Sequence, residues 1–427
     1  MFEHHTAFVV IAVLAICFEG YLVFLALFDP GLRYGIASPT SQPLDSEGFR
    51  CTLEAITDAK IHCGTQFEVL TNGENFYAAM LSAIAQAQKS INLEAYIFQR
   101  GKIAQRFVVA LAERAAAGVK VNIALDAIGS FSTTERYLKP LTDAGGKIGW
   151  YHPIRWNTWP RLNNRTHREV IVIDGRKAFI GGAGIADHWY TTVKKQPRWR
   201  DTVVRVEGDA VVSLQATFVE NWLEASGEIL LGDEYFPQYA VQGNDPVMIV
   251  NSSPSVGGST RARVLFQTLV ASAQKSICIT TPYFLPDISL RRELVRAIHR
   301  GVDVKIVTPG RRSDHALTRT SSRRLYGELL KAGARIFEYQ PAMIHAKVLI
   351  IDCLWAVVGS TNFDNRSFGI NDEVNLAVSG SRLAARLEED FEADISESKE
   401  VTIEEWRHRP VVERAHEVLG WILERQQ

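Results

Sequence analysis

Cysteine is scarce in this chain and scattered through it. The five residues, Cys17, Cys51, Cys63, Cys278 and Cys353, form no C-x-x-C pair and no spacing suited to a metal, which excludes a dithiol redox motif or a zinc module. They read as packing residues in a reducing compartment. A Cys51–Cys63 bridge, implying the opposite compartment, is the alternative their spacing leaves open. An excess of charge of either sign is missing too: 47 Lys and Arg stand against 48 Asp and Glu, for a net charge of -1. A nucleic-acid partner, which leaves a basic footprint, is not expected. Long hydrophobic runs are absent but for one, residues 7–28, AFVVIAVLAICFEGYLVFLALF. About twenty apolar residues cross a bilayer. No Lys or Arg precedes the run, so the basic start of a signal peptide is lacking. Arg33 follows it, so the expectation is an uncleaved single-pass anchor with the rest of the chain cytoplasmic. Glu19 within the run is either a functional carboxylate or the junction of two interfacial pieces.

What is present centres on residues 344–362, IHAKVLIIDCLWAVVGSTN. The run 348–351 is aliphatic and mostly β-branched, a buried strand by pattern. His345 and Lys347 lie two apart at its start and share a face. An imidazole beside an ammonium suits a phosphate, one group attacking phosphorus and the other holding its oxygens. After a second apolar run come Gly359, Ser360 and Asn362. A weaker copy lies upstream at 166–184, THREVIVIDGRKAFIGGAG, with His167, Asp174 and Gly181 in register. There Glu169 stands where the later copy has Lys347, Gly182 where it has Ser360, and Gly184 where it has Asn362. A lone strand histidine is ordinarily a packing or surface residue; the duplication is what marks these two.

The surroundings repeat as well. Ala87-Gln88-Lys89-Ser90-Ile91 returns as Ala273-Gln274-Lys275-Ser276-Ile277, and Gly118-Val119-Lys120-Val121 as Gly301-Val302-Asp303-Val304. The repeat is longer than any solenoid period. Helical spacing over 76–87, 103–117 and 136–144 alternates with strand patterns over 91–98 and 119–125, which argues a mixed α/β sheet. The expected organisation is an anchor over 1–35, a linker and lead-in over 36–64, a first α/β half over 65–226 and a connection over 227–245. A second half over 246–427 ends in an amphipathic helix. The halves are expected to pack face to face with both histidines at the seam. The first half carries an insertion at 155–168 with four Arg and two Trp, either a contact for anionic headgroups or a solvated lid. The five Arg of 311–324 read as a solvated stretch more than as part of the cleft.

Two copies of H-x-K-x4-D-x6-G-S-x-N, one complete and one altered, resemble the phospholipase D superfamily. Within it, Thr281-Pro282-Tyr283-Phe284-Leu285-Pro286-Asp287, Trp199-Arg200-Asp201-Thr202 and Asn371-Asp372-Glu373-Val374-Asn375 look most like bacterial cardiolipin synthases. That resemblance implies two pseudo-symmetric phospholipase D-like α/β halves behind the N-terminal transmembrane helix, in the bacterial inner membrane. It implies phosphatidyl transfer between two phosphatidylglycerols through a phosphohistidine, with no cofactor or metal. It carries His345, Lys347, Asp352, His167 and Asp174 into the catalytic set. Position at strand ends before turns makes the two aspartates read as mainly structural. Ser360, Asn362, Glu169 and Gly182 fall at substrate-binding positions.

Each histidine needs an acceptor on its far nitrogen. Asp201, downstream of His167, and Glu373, downstream of His345, are the candidates. A carboxylate at Glu169 is expected to favour a protonated His167, and Lys347 a neutral His345. His345 is then the nucleophile and His167 the acid, although the resemblance more often assigns the nucleophile to the first copy. The same residues would serve water as acceptor, so a phospholipase D-type hydrolase stays open. So does a lipid-binding protein whose first half has become inert.

Overall fold

The computed structural model describes residues 9–21, 34–37, 42–155, 163–194, 196–239, 243–254 and 260–410. The first half contributes β1 (Ile61–Thr71), β2 (Ser90–Ala95), β3 (Lys120–Asp126), β4 (Lys147–Tyr151), β5 (Val170–Ile173), β6 (Lys177–Gly181) and β7 (Thr202–Gly208). The second contributes β8 (Asp245–Ser252), β9 (Ser276–Thr280), β10 (Asp303–Pro309), β11 (Arg335–Tyr339), β12 (Val348–Ile351), β13 (Trp355–Gly359), β14 (Glu373–Ser379) and the short β15 (Ser398–Glu400). All fifteen lie in one sheet, ordered β4-β3-β2-β5-β6-β7-β1 and then β8-β14-β13-β12-β9-β10-β11-β15. The second order is the first reversed, with β15 added. The duplication read in the sequence is therefore a duplicated topology, joined where β1 pairs antiparallel with β8.

The halves also share a core. Val170, Val172, Ile180 and Val204 of one half cluster with Val348, Ile350, Val358 and Leu376 of the other. This explains why 170–173 and 348–351 are apolar at every position: both faces of β5 and β12 are covered, so strand alternation is lost.

Two expectations about the chain's organisation are corrected. The lead-in is not a free linker. The helix Glu47–Thr57 is capped by Ser46, whose side chain accepts from the Phe49 amide. Phe49 and Leu53 are buried in the second half's core. Phe49 packs edge-on against Trp355 at 6.0 Å, and the Trp355 indole donates to the Leu44 carbonyl at 2.8 Å. The physical reason is the β1–β8 joint, which hands whatever precedes β1 to the other half. Burying each of these two side chains contributes about 1.5–3 kcal/mol. The stretch 311–324 is not uniformly solvated: Arg319 and Arg323, on the helix Ala316–Ala332, pair with Glu338. Cys51 and Cys63 are free and exposed.

Asp174 and Asp352 leave the catalytic set. Each opens a tight turn in the left-handed region, at φ 54°. The Asp174 carboxylate accepts the amides of Gln88, Lys89 and Ser90, and that of Asp352 the amides of Gln274, Lys275 and Ser276, all within 3.1 Å. They clamp the first residues of β2 and β9. At strand rise they lie about 20 Å from the histidines of their own motifs.

Of the expected membrane span, residues 9–21 form a helix with Val9, Ile11, Leu14, Ile16 and Phe18 exposed. The rest of that run lies outside the described residues, as do 156–162 of the basic insertion and the expected C-terminal helix over 411–427. No helix among the described residues is long and apolar enough to cross a membrane.

Replacing Asp352 by Ala strips three amides of their acceptor. It should cost about 1–3 kcal/mol in denaturant unfolding and leave turnover per folded molecule near that of the parent. Lost turnover at unchanged stability would return Asp352 to the catalytic set.

Candidate active site

The site is built where each half's motif meets a loop of the other. The His167 amide donates to the Asp372 carbonyl at 2.9 Å, and the Asp372 amide to the Arg165 carbonyl at 2.9 Å. The His345 amide donates to the Arg200 carbonyl at 2.7 Å, and the Arg200 amide to the Met343 carbonyl at 2.8 Å. Each histidine is thus locked beside the residue preceding an acid of the opposite half. Tyr151 holds Asp372 in place through its hydroxyl, 2.5 Å from Oδ2. The Arg200 guanidinium is fixed by Asp394 at 2.9 Å.

These bridges cross the acceptors. His345 Nδ1 lies 2.9 Å from Asp201 Oδ2, and His167 Nδ1 lies 3.0 and 3.1 Å from the two oxygens of Glu373. The expected pairing, each acid serving the histidine of its own half, is corrected. Distance along the chain misled, because the ladder puts Arg200 beside Ile344 and Asp372 beside Thr166. In both pairs Nδ1 faces the acid, which leaves Nε2 as the reactive atom.

Both acids receive a further donor. Ser360 donates its hydroxyl to Glu373, and the Trp189 indole donates to Asp201 Oδ2 at 2.9 Å. Ser360, expected on the substrate, is thereby a prop for Glu373. Its counterpart Gly182 has no hydroxyl, and Trp189 supplies the missing donor from the same half. Burial works against a charge on Asp201, but the hydrogen bond and charge of His345, with Lys347, outweigh it and hold the carboxyl below its usual range. Trp189 and Trp199 flank the His345 ring at 5.2 and 5.4 Å, Tyr283 stands at 6.5 Å, and Tyr96 stands 5.4 Å from His167. Neither Trp189 nor Tyr96 lies in a motif, so no spacing pointed to them.

Lys347 is buried and crosses to the first half. A Cβ at Gly182 would come 2.8 Å from Lys347 Nζ and Cδ, so glycine at 182 is what admits the side chain. Its Nζ lies 2.9 Å from the His345 carbonyl and 3.2 Å from His345 Nε2. Burial first, then the Lys347 charge, lowers the His345 pKa against the pull of Asp201. The expected neutral His345 agrees with this.

Glu169 behaves otherwise than expected. Its carboxyl turns to the main chain and accepts the amides of Ile97 and Tyr96 at 3.1 and 3.2 Å. Burial pushes it well above the usual carboxylate range, with those amides and Lys347 opposing. It therefore tends to the neutral form and is not the charged neighbour of His167 that the sequence suggested. Gly184 fits the same change: a Cβ there would meet the Ile97 carbonyl at 2.5 Å and Glu169 Oε1 at 2.9 Å. Neither nearby arginine replaces the missing cation. Arg165 is buried against the Asn164 and His152 carbonyls, and Arg168 faces away toward Glu220, Asn251 and Ser253.

A family profile described as "Cardiolipin synthase, PLD-like domain" matches residues 80–195 and 266–395. Cardiolipin synthase 2 of Bacillus anthracis is 34% identical over 366 residues, which are 84% of this chain and 71% of the relative. The chain belongs to the cardiolipin synthase family of the phospholipase D superfamily. The major cardiolipin synthase ClsA of Bacillus subtilis is likewise 34% identical, over 83% of this chain and 74% of its own. The crystal structure of phosphatidylserine synthase from Haemophilus influenzae is similar in fold, with a TM-score of 0.69 at 14% identity, covering 89% of this chain and all of that one. The matched segments of the cardiolipin synthase profile take in both histidines, Glu373, Trp189 and Lys347, and Asp201 lies just past the first segment.

Replacing Lys347 by Met removes a charge that depresses the His345 pKa. The imidazole midpoint, followed by NMR, should rise toward the ordinary histidine value, and the acid limb of activity should move to higher pH. A midpoint that stays put would sink this account of the pair.

Proposed function

We propose that the protein joins two phosphatidylglycerols into cardiolipin and glycerol, with His345 as nucleophile and His167 as acid and base. The observation that carries this is the pair of imidazoles at one seam, each oriented through Nδ1 by an acid of the opposite half. His345 Nε2 attacks phosphorus and the phosphorus–oxygen bond to the headgroup glycerol breaks. The departing oxygen takes its proton from His167 Nε2. A hydroxyl of a second phosphatidylglycerol then returns a proton to His167 as its oxygen attacks phosphorus. The phosphorus–nitrogen bond breaks and its electron pair goes back to His345.

The assignment is supported by asymmetry. His345 is held neutral by burial and Lys347, as an attacking nitrogen must be. Lys347 also supplies a cation for the non-bridging oxygens. Glu373 balances the charge on His167 while it carries the proton, and its two contacts at 3.0 and 3.1 Å fix the ring.

Incubated with phosphatidylglycerol, the protein should give cardiolipin and glycerol on thin-layer chromatography. Phosphatidic acid alone would make it a hydrolase, and no product would mark a lipid binder. Phosphoenzyme trapped during turnover should carry the label on the peptide of His345; label on the His167 peptide alone would reverse the roles.

The apolar run over 7–28 is assigned as the anchor of this enzyme in the bacterial inner membrane, with the two halves on the cytoplasmic side. Tyr34 ties the following segment down: its ring lies 4.4 Å from the Arg263 guanidinium, and its amide donates to Ser289 Oγ at 3.0 Å. The full chain should stay with the membrane pellet after alkaline carbonate washing; release into the wash would remove the anchor.

A further inference from the structure

The loops that frame the seam carry apolar side chains turned to the outside. β5 runs antiparallel to β2 with Val170 opposite Glu94, so His167 lies just past the end of β2. β12 runs antiparallel to β9 with Val348 opposite Thr280, so His345 lies just past the end of β9. β3 and β4 are parallel to β2, and β10 is parallel to β9. The loops after these strands therefore open at the end of the sheet that holds both histidines.

In the first half, the loop after β3 is pinned to the site. Ser130 Oγ donates to the Tyr96 carbonyl at 2.9 Å, and the Tyr96 ring stands 5.4 Å from His167. Phe131 is the next residue and is 78% exposed, the most of any large apolar side chain among the described residues. The loop after β4 is pinned likewise, since Arg165 donates to the His152 carbonyl at 3.0 Å. Ile154, two residues on, is 66% exposed. In the second half, Ile288 begins the helix Ile288–His299 and is 50% exposed. Arg311 and Arg312 are exposed on the loop after β10. Asp314 ties that loop to the site by accepting the Tyr283 hydroxyl at 2.6 Å. Loops held this firmly do not need Phe131 or Ile154 for their own shape, and apolar side chains left open at a functional face mark a contact surface.

Chain geometry and charge name the partner. The Tyr34 amide donates to Ser289 Oγ at 3.0 Å, beside Ile288. Tyr34 follows the apolar run over 7–28 so closely that the chain between them reaches at most about 20 Å. A bilayer holding that run is thus kept close to this end of the sheet. Apolar side chains suit the upper acyl region of such a bilayer, and exposed guanidiniums suit anionic headgroups. We propose that this end of the sheet docks on an anionic bilayer, with Phe131, Ile154 and Ile288 among the acyl chains and Arg311 and Arg312 at the headgroup phosphates. Lipid then reaches the seam without crossing water. The surface rests on the assignment of residues 7–28 as the anchor.

The test uses the full chain in phosphatidylglycerol vesicles, with photoreactive benzoylphenylalanine in place of Phe131, Ile154 or Val109. Val109 is exposed at the middle of the helix Lys102–Ala116 and serves as the control. Lipid should be crosslinked from 131 and 154 and not from 109. Crosslinks to a second copy of the chain would make this a dimer face. That result overturns the proposal, as does equal labelling from 109 or none from 131 and 154. Crosslinking needs no turnover, so it is read whatever product the enzyme makes, and carbonate washing tests the anchor separately. In rate measurements, Phe131→Ser and Ile154→Ser should each slow turnover on vesicles by about tenfold through lost apolar burial. Turnover of a short-chain phosphatidylglycerol dispersed as monomers should not change. Equal loss on both substrates would place these residues in the fold or the catalytic site and overturn the surface. The double variant Arg311→Gln, Arg312→Gln should weaken the dependence of the vesicle rate on salt; an unchanged dependence overturns the headgroup contact.

Discussion

Each imidazole is aimed by a carboxylate it does not share a half with. The Asp201–His345 and Glu373–His167 pairs are the constraint on which the rest depends, and they follow from backbone geometry. Arg200 bridges to the His345 strand and Asp372 to the His167 strand, so the next residue in each case falls under Nδ1. An imidazole whose Nδ1 faces a fixed acid is held in one orientation and presents Nε2 to the reaction. The topology, the reversed strand order and the shared valine and isoleucine core serve to bring these two bridges to one seam.

The altered first motif is a rebuilt motif. Glycine at 182 makes room for Lys347, and the indole of Trp189 replaces the hydroxyl that Ser360 gives on the other side. Glu169 and Gly184 change together, the acid taking the Ile97 and Tyr96 amides in space that a side chain at 184 would fill. The result is a lysine that lies against one imidazole and not the other. That asymmetry suits a two-step transfer, in which the two histidines do different work.

Much of the fold was legible. The repeated segments around Ser90 and Ser276, and the twin apolar runs before Asp174 and Asp352, report strands that recur in the same topological place. The histidines were legible because the spacing of the complete motif is fixed by a strand and a turn. What could not be read was anything set by contact between halves. The crossing of Asp201 and Glu373 depends on which loop faces which strand. The direction of Glu169 depends on amides of a loop far upstream in the chain. Trp189 belongs to no spacing rule, and only the assembled seam shows that it faces Asp201. The placement of Phe49 and Leu53 was hidden for the same reason, since the β1–β8 joint carries no local signature.

That joint bears on how the polypeptide matures on the ribosome. The helix bearing Phe49 and Leu53 emerges before either half, yet the core that buries it, around Trp355, is translated only with the second half. Until then β1 has an open edge and the helix an uncovered apolar face, both held in waiting while the first half folds. Neither half is a separable module: one lacks the acid for its histidine, the other its acid and the helix that covers its core. Domain-wise folding during synthesis is thus closed by a final long-range docking event, and the chain gains its chemistry only when its beginning and its end have met.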